Sequence, residues 1–210
     1  CPNRYKQRSV LLMRVLTLDV ETTHQDKEGG GTTALPYFNN RLVSIGWKWL
    51  LNDHVNYKFF YHKDNEYNYE SDIVNLIQKD LDRADVLIGQ NIKFDITWLR
   101  SCGFTFDGVL YDTMVAEYLR SKGRRWSLSL ESLAKRYDVT QKEVDLVKPY
   151  LKDGKTFYDI PAEIVEEYGI ADVVATEQVA LKQLEAFGLT FEELYETNTK
   201  TVVRDDEHAI

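Results

Sequence analysis

Within the stretch LTLDVETT, residues 16–23, an apolar run carries two acids one residue apart. Side chains alternate across a strand, so Asp19 and Glu21 share a face while Val20 points to the other. In IGQNIKFD, residues 88–95, an apolar strand ends at Gly89, Asn91 follows, and Asp95 opens the next helix. In EEYGIADVVATEQV, residues 166–179, Tyr168 and Asp172 stand four apart and are neighbours on one helical face. Asp172 lies among Ile170, Val173, Val174 and Val179. A carboxylate at the margin of a core-facing helix is costly unless it is paired or metal-bound.

Each signal is weak by itself. With 34 acids in 210 residues, chance yields roughly five acid-x-acid pairs; Asp26/Glu28, Asp80/Asp82, Glu143/Asp145 and Asp205/Glu207 are such pairs. Only Asp19/Glu21 terminates an apolar strand. The plain alternatives are an exposed strand face, an acid charging a helix N-terminus at Asp95, a turn residue at Asn91 and a packed aromatic at Tyr168. Taken together, the groups could converge on one pocket. Four carboxylates cannot all remain ionised in one pocket unaided. Divalent cations resolve that conflict, and oxygen-only ligands suit Mg²⁺ or Mn²⁺ rather than Zn²⁺. Two such ions about 3.5–4 Å apart form a clamp for in-line attack on a phosphodiester.

The elements that must position these groups are legible in outline. VLTLDV reads as a buried strand, and RLVSIGWKWL and NYKFFYH are rich in β-branched and aromatic residues. With LNDHV supplying turn residues between the last two, they predict a three-stranded antiparallel meander. YESDIVNLIQKDLDRA carries Ile73, Leu76, Ile77 and Leu81 at helical spacing. DVLIGQN predicts a short buried strand, and FDITWLRSCG a helix closed by Gly103. GVLYDTMVAEYL joins a strand to a helix with Asp112 at the N-cap. SLSLESLAKRYD predicts another helix, with Ser129 and Ser132 available as caps. The last long helix begins near Pro161 and runs to Gly188. HQDKEGGGTT is the longest irregular stretch, and its three glycines suggest a mobile loop. Strands first, then helices alternating with two more strands, describe one mixed α/β domain with no linker to split it.

Bulk properties agree with that picture. The chain is 43% hydrophobic and 12% aromatic, enough for a substantial core despite 29% charged residues. A net charge of −8 argues against a protein that coats nucleic acid electrostatically. It leaves room for an enzyme that grips a few phosphates locally. Cys1 and Cys102 give neither a disulfide framework nor zinc spacing, and a reducing compartment is the simpler expectation. No apolar run is long enough to span a membrane.

LDVETT, IGQNIKFD, YDTM with SLESLAKRY downstream, and YGIAD resemble, in that order, the exonuclease motifs of the DEDD (DnaQ-like) superfamily. The chain is most similar to the proofreading 3′→5′ exonuclease domain of DNA polymerase I-type (family A) polymerases, from about Val15 to about Leu189. The resemblance implies an RNase H-like α/β fold: a mixed five-stranded sheet, antiparallel meander plus parallel strands, flanked by helices. It places the four metal-binding acids on Asp19, Glu21, Asp95 and Asp172, and the water-orienting tyrosine on Tyr168. It implies two divalent ions, Mg²⁺ or Mn²⁺. The histidine of the sibling subgroup would fall at Glu167, so this is the tyrosine type.

The same resemblance sets Thr22, Asn91 and Phe94 against the terminal nucleotide, and Arg124 in KGRRWS near the scissile phosphate. Arg125 and Trp126 join a basic-aromatic cluster suited to single strands. The segment HQDKEGGGTTALPY departs from the family pattern and leaves a wedging role for Gln25 in doubt. The expected activity is proofreading hydrolysis of single-stranded or frayed DNA 3′ ends to nucleoside 5′-monophosphates. The alternatives are a stand-alone RNA exonuclease of the ribonuclease D type and a binding module that has lost catalysis. The expected organisation is an N-terminal extension over 1–13, the exonuclease domain over 14–190, and a segment 191–210 leading toward a polymerase region. The expected setting is cytoplasmic, in a bacterial or phage-infected cell.

Overall fold

A computed structural model describes residues 13–26, 30–65, 71–139 and 146–197. The strands are β1 (Val15–Thr22), β2 (Gln25–Asp26), β3 (Thr32–Thr33), β4 (Leu42–Trp49), β5 (Asn56–Phe59), β6 (Val86–Gly89) and β7 (Val109–Asp112). The helices are α1 (Ser71–Arg83), α2 (Ile92–Ser101), α3 (Thr113–Ser121), α4 (Leu130–Tyr137), α5 (Lys148–Lys152) and α6 (Ala162–Phe187). One five-stranded sheet runs in the order β5-β4-β1-β6-β7. β4 pairs antiparallel with both β1 and β5, which is the expected meander, while β1-β6 and β6-β7 are parallel.

β1 is central and buried on both faces, which is why it reads as an apolar run rather than an alternating one. Leu16, Leu18 and Val20 face a core shared with Trp47, Ile77, Leu81, Ile96 and Trp98. Trp47 is fully buried there, and its indole donates to Asp80 at 2.9 Å, so one acid of a second acid-x-acid pair has a structural partner. Val15 packs with Val86, Ile88, Tyr111, Ala180, Leu184 and Phe191 in a cluster on the α6 side. Thr17, Asp19 and Glu21 alternate onto that same side.

Helix boundaries follow local chemistry. The Asp112 carboxylate caps α3 by accepting from the N–H groups of Met114 (2.9 Å) and Val115 (3.3 Å). Ser129 caps α4 through the Ser132 N–H, while Ser132 lies inside the helix. Gly188 ends α6 with φ 66°, the left-handed conformation a C-terminal cap requires.

Two expectations shift. α2 starts at Ile92 rather than at Asp95, because Asn91 takes the N-cap position with φ 58° and its N–H is held by Asp112 at 3.0 Å. Part of HQDKEGGGTT is regular: Gln25 and Asp26 pair antiparallel with Thr33 and Thr32. Gly30 and Gly31, at φ 98° and 81°, accept a backbone that side chains resist. Gly29, Glu28, the Glu143/Asp145 and Asp205/Glu207 pairs and the two terminal segments lie outside the described residues. Among the described residues no helix is long and apolar enough to cross a membrane.

Candidate active site

Asp19 and Glu21 sit on the last turns of the β1 pleat, opposite Gly46 and Ser44 of β4. The register slips between Glu21 and Thr22, a bulge-like irregularity that ends regular pairing where the acids stand. Across from them, α6 contributes Asp172, buried among its apolar neighbours. Carboxylate oxygens of Asp19, Glu21 and Asp172 all lie within 4.8 Å of one another. Oxygens around one Mg²⁺ at about 2.1 Å are at most about 4.2 Å apart. The trio is thus gathered on the scale of one hard cation's ligand sphere. The donor set and its spacing therefore fit the expected metal.

Asp95 stands beside the trio rather than in it. Pairing of β6 with β1 ends at Thr17 and Ile88, and past that point the Val20 N–H donates to Asp95 Oδ1 at 3.1 Å. Burial, followed by the charge of Asp19, holds the Asp95 carboxyl well above the usual carboxylate range. Three of the four expected acids thus form one group, and the fourth feels the charge of its nearest member.

Tyr168 lies one turn before Asp172 and hydrogen-bonds to it. Burial, then the charges of Glu21, Asp172 and Asp19, raise its hydroxyl far above an ordinary phenol. Its ring also packs against Phe157, with centroids 5.5 Å apart. Both the expected packing and the expected proximity to the acids are therefore present.

The expected substrate residues are less concentrated. Thr22 is buried at the end of β1. Asn91 is exposed in its left-handed turn, and Phe94 is half-buried against the core. Arg124 is exposed on the segment joining α3 to α4, with its guanidinium over the Trp126 ring at 5.6 Å. Arg120 and Arg136 also stack on Trp126, at 5.8 and 4.7 Å. This segment is anchored to the end of β6, because Gln90 donates to the Leu128 carbonyl at 2.7 Å. The Gln25 amide donates to the Asn39 carbonyl at 3.4 Å.

Sequence reading missed the polar groups buried behind the site. Lys48 and Glu177 form an ion pair between β4 and α6, each side chain 7% exposed. Glu117 is fully buried at the junction of α3, α4 and α6, where Arg136 (2.9 Å), Tyr137 and Gln183 (3.1 Å) donate to it. In sequence Tyr57 is one aromatic among those of NYKFFYH, yet its hydroxyl reaches Ser44 and α6. The available signal was the pair of glycines inside otherwise regular elements, Gly46 and Gly169, which mark close approach.

A family model described as 3′-5′ exonuclease (DNA_pol_A_exo1) matches residues 12–185. No curated protein sequence matches. Among solved structures, Brucella melitensis NrnC with bound Mg²⁺ is similar at 16% identity and TM-score 0.55, covering 95% of this chain and 90% of that one. Brucella melitensis NrnC bound to pGG gives 16% identity and TM-score 0.56, covering 88% and 81%. A structure described as the apo form of the nuclease gives 16%, 0.56, 93% and 87%. These likenesses carry the fold, which is the expected RNase H-like one.

Proposed function

The chain belongs to the 3′-5′ exonuclease family, and on that footing we propose that it removes nucleotides from single-stranded 3′ ends by metal-dependent hydrolysis. The observation that carries this reading is the convergence of Asp19, Glu21 and Asp172 on one point beside Tyr168 and Asp95.

Asp19, Glu21 and Asp172 would hold one divalent ion, Mg²⁺ or Mn²⁺, and Asp19 with Asp95 would hold a second. When bound, such ions acidify an attacking water and stabilise the departing 3′ oxygen. Tyr168 stays protonated because burial and three carboxylates oppose its ionisation. Its part would therefore be to aim the water, its one phenolic proton turning from Asp172 to the water when Asp172 holds an ion, and not to take a proton. Glu21 would assist by accepting one. Thr22, Asn91 and Phe94 would border the terminal nucleotide, and Arg124, stacked on Trp126, would meet a phosphate.

Of the two substrates, short RNA has the better support. This chain covers 90% of one NrnC chain and 81% of another that is bound to pGG, in its notation a ribonucleotide. The DNA proofreading reading keeps one observation, the family's link to polymerase exonuclease domains; there the chain would serve a covalently joined polymerase. The deciding experiment offers 5′-labelled single-stranded RNA, single-stranded DNA and duplex DNA with Mg²⁺, Mn²⁺ or EDTA. A 3′-shortening ladder that vanishes with EDTA is expected, fastest on short RNA. A faster ladder on DNA would move the choice to proofreading, and binding without cleavage would defeat both.

A further inference from the structure

Cross-strand register sets Asp19, Gly46 and Tyr57 in one row of the sheet, and Glu21, Ser44 and Phe59 in the next. Directly opposed residues project to the same face, so Tyr57 rises on the face that carries the acids. Its ring can lie down toward α6 because two glycines leave space. A Cβ on Gly46 would lie 3.1 Å from Tyr57 Cδ2, and one on Gly169 would lie 2.4 Å from Cε2 and 2.6 Å from the hydroxyl oxygen. The hydroxyl is 2.7 Å from Ser44 Oγ and 3.1 Å from the Val165 carbonyl. A carbonyl only accepts, so the single phenolic proton goes to Val165 and the Ser44 hydroxyl donates to Tyr57.

One side chain thereby joins β5, the position on β4 facing Glu21, and the first turn of α6. Val165 precedes Tyr168 by one turn and Asp172 by two. The N-cap of α6, Pro161, makes no side-chain cap hydrogen bond; the Asp64 carboxylate accepts from the Ala162 N–H at 3.2 Å, an exposed tie one turn before Val165. Val165 itself packs with Val43, Val147 and Ile160, contacts that are non-directional. A ligand set, in contrast, must hold its geometry to about half an ångström.

We propose that Tyr57 is a positioning residue, fixing the height and rotation of the first turns of α6 so that Asp172 and Tyr168 meet Asp19 and Glu21. This rests on the nuclease reading above. The test is Tyr57→Phe in the full 210-residue chain, followed by Mn²⁺ binding without substrate (paramagnetic resonance of free Mn²⁺), kcat and KM on a labelled oligonucleotide, and the melting temperature. Mn²⁺ affinity should weaken roughly five-fold, the scale of one lost hydrogen bond, and kcat should fall by about ten-fold or more while KM stays within about two-fold. Ser44→Ala should shift both in the same direction by less, and the double variant should be no worse than Tyr57→Phe. Parent-like Mn²⁺ affinity in Tyr57→Phe overturns the proposal, as does a loss confined to KM. Should Tyr57→Phe fail to fold, Ser44→Ala carries the test, and parent-like Mn²⁺ affinity there overturns it equally. A parent chain that binds no Mn²⁺ and cleaves nothing removes the nuclease reading itself, an outcome separate from these.

Discussion

Replacing Asp19 by Asn deletes a charge while keeping the side chain's volume, so it isolates the electrostatic cost of the site. Asp19 faces Glu21 and Asp172 with oxygens within 4.8 Å. At that distance two unit charges repel by roughly 3.5 kcal/mol with an effective dielectric near 20. Asp19 is only half-buried and one acid of the group can take up a proton, which caps the cost. A net relief on the order of 1–2 kcal/mol is the reasonable scale. For a chain of this size each kcal/mol moves the melting temperature by about 2–4 °C. In EDTA at neutral pH, Asp19→Asn should therefore melt at or a few degrees above the parent, although its hydrolysis is abolished.

The pH dependence carries the sign of the effect. Asp95 has a folded-state pKa raised above its unfolded value, so the folded chain binds the proton more tightly. The stability this gives is fully present below the unfolded pKa near 4 and is lost as pH rises through the raised value. In EDTA the parent should lose stability as pH climbs from about 4 into that range. Asp19→Asn should lose less, because the Asp19 charge is one cause of the shift. Saturating Mg²⁺ should reverse the order of the two proteins by stabilising only the parent. The measurement is a set of thermal melts across pH with and without the ion. An Asp19→Asn chain melting several degrees below the parent in EDTA would refute the reasoning, since it would make Asp19 a structural residue.

Tyr168→Phe should fold and bind Mn²⁺ like the parent, yet lose roughly 10- to 100-fold in kcat, measured by single-turnover hydrolysis. Lys48→Met leaves the buried Glu177 carboxylate uncompensated and should cost about 3–5 kcal/mol in denaturant unfolding, most of it recovered in Lys48→Met/Glu177→Leu. Trp126→Ala removes the platform under Arg120, Arg124 and Arg136. It should raise KM on single strands by roughly ten-fold with kcat little changed, as read in steady-state kinetics at fixed salt.

Period and punctuation revealed the sheet and the long helices because the forces behind them are local. β1 is an apolar run because both its faces are covered, and Asp112, Ser129 and Gly188 advertise helix ends through side-chain or backbone chemistry that needs no distant partner. The start of α2 escaped because Asn91 is held in a left-handed turn by Asp112, 21 residues away. Convergence of the acids was suggested for a related reason: carboxylates on apolar, core-facing elements are costly unless paired or metal-bound. What stayed hidden is the neutral polar scaffolding. Tyr57 and Ser44 look like ordinary strand residues, and the space they use is marked only by Gly46 and Gly169, which show as missing side chains. Lys48 and Glu177 are 129 positions apart and read as two surface charges until folding buries both.

The hidden scaffolding and the legible acids answer different demands. Repulsion among Asp19, Glu21 and Asp172 drives β1 and α6 apart at the point where hydrolysis would need them together. The ties across that seam lie on both sides of the acids. Tyr57 reaches the first turn of α6 at Val165, before Asp172, and Lys48 reaches Glu177 after it. An element clamped at two points holds a repulsive cluster in place between them before any ion arrives, so that an ion would meet ligands needing little further movement. Cutting the Tyr57 clamp, which leaves no buried charge uncompensated, should therefore loosen the site while the sheet, whose core lies mainly on its other face, stays assembled. The check is hydrogen exchange in Tyr57→Phe: faster exchange confined to the first half of α6 is the expected result, and uniform acceleration through β1, β4 and β6 would show that Tyr57 holds the fold and not the site.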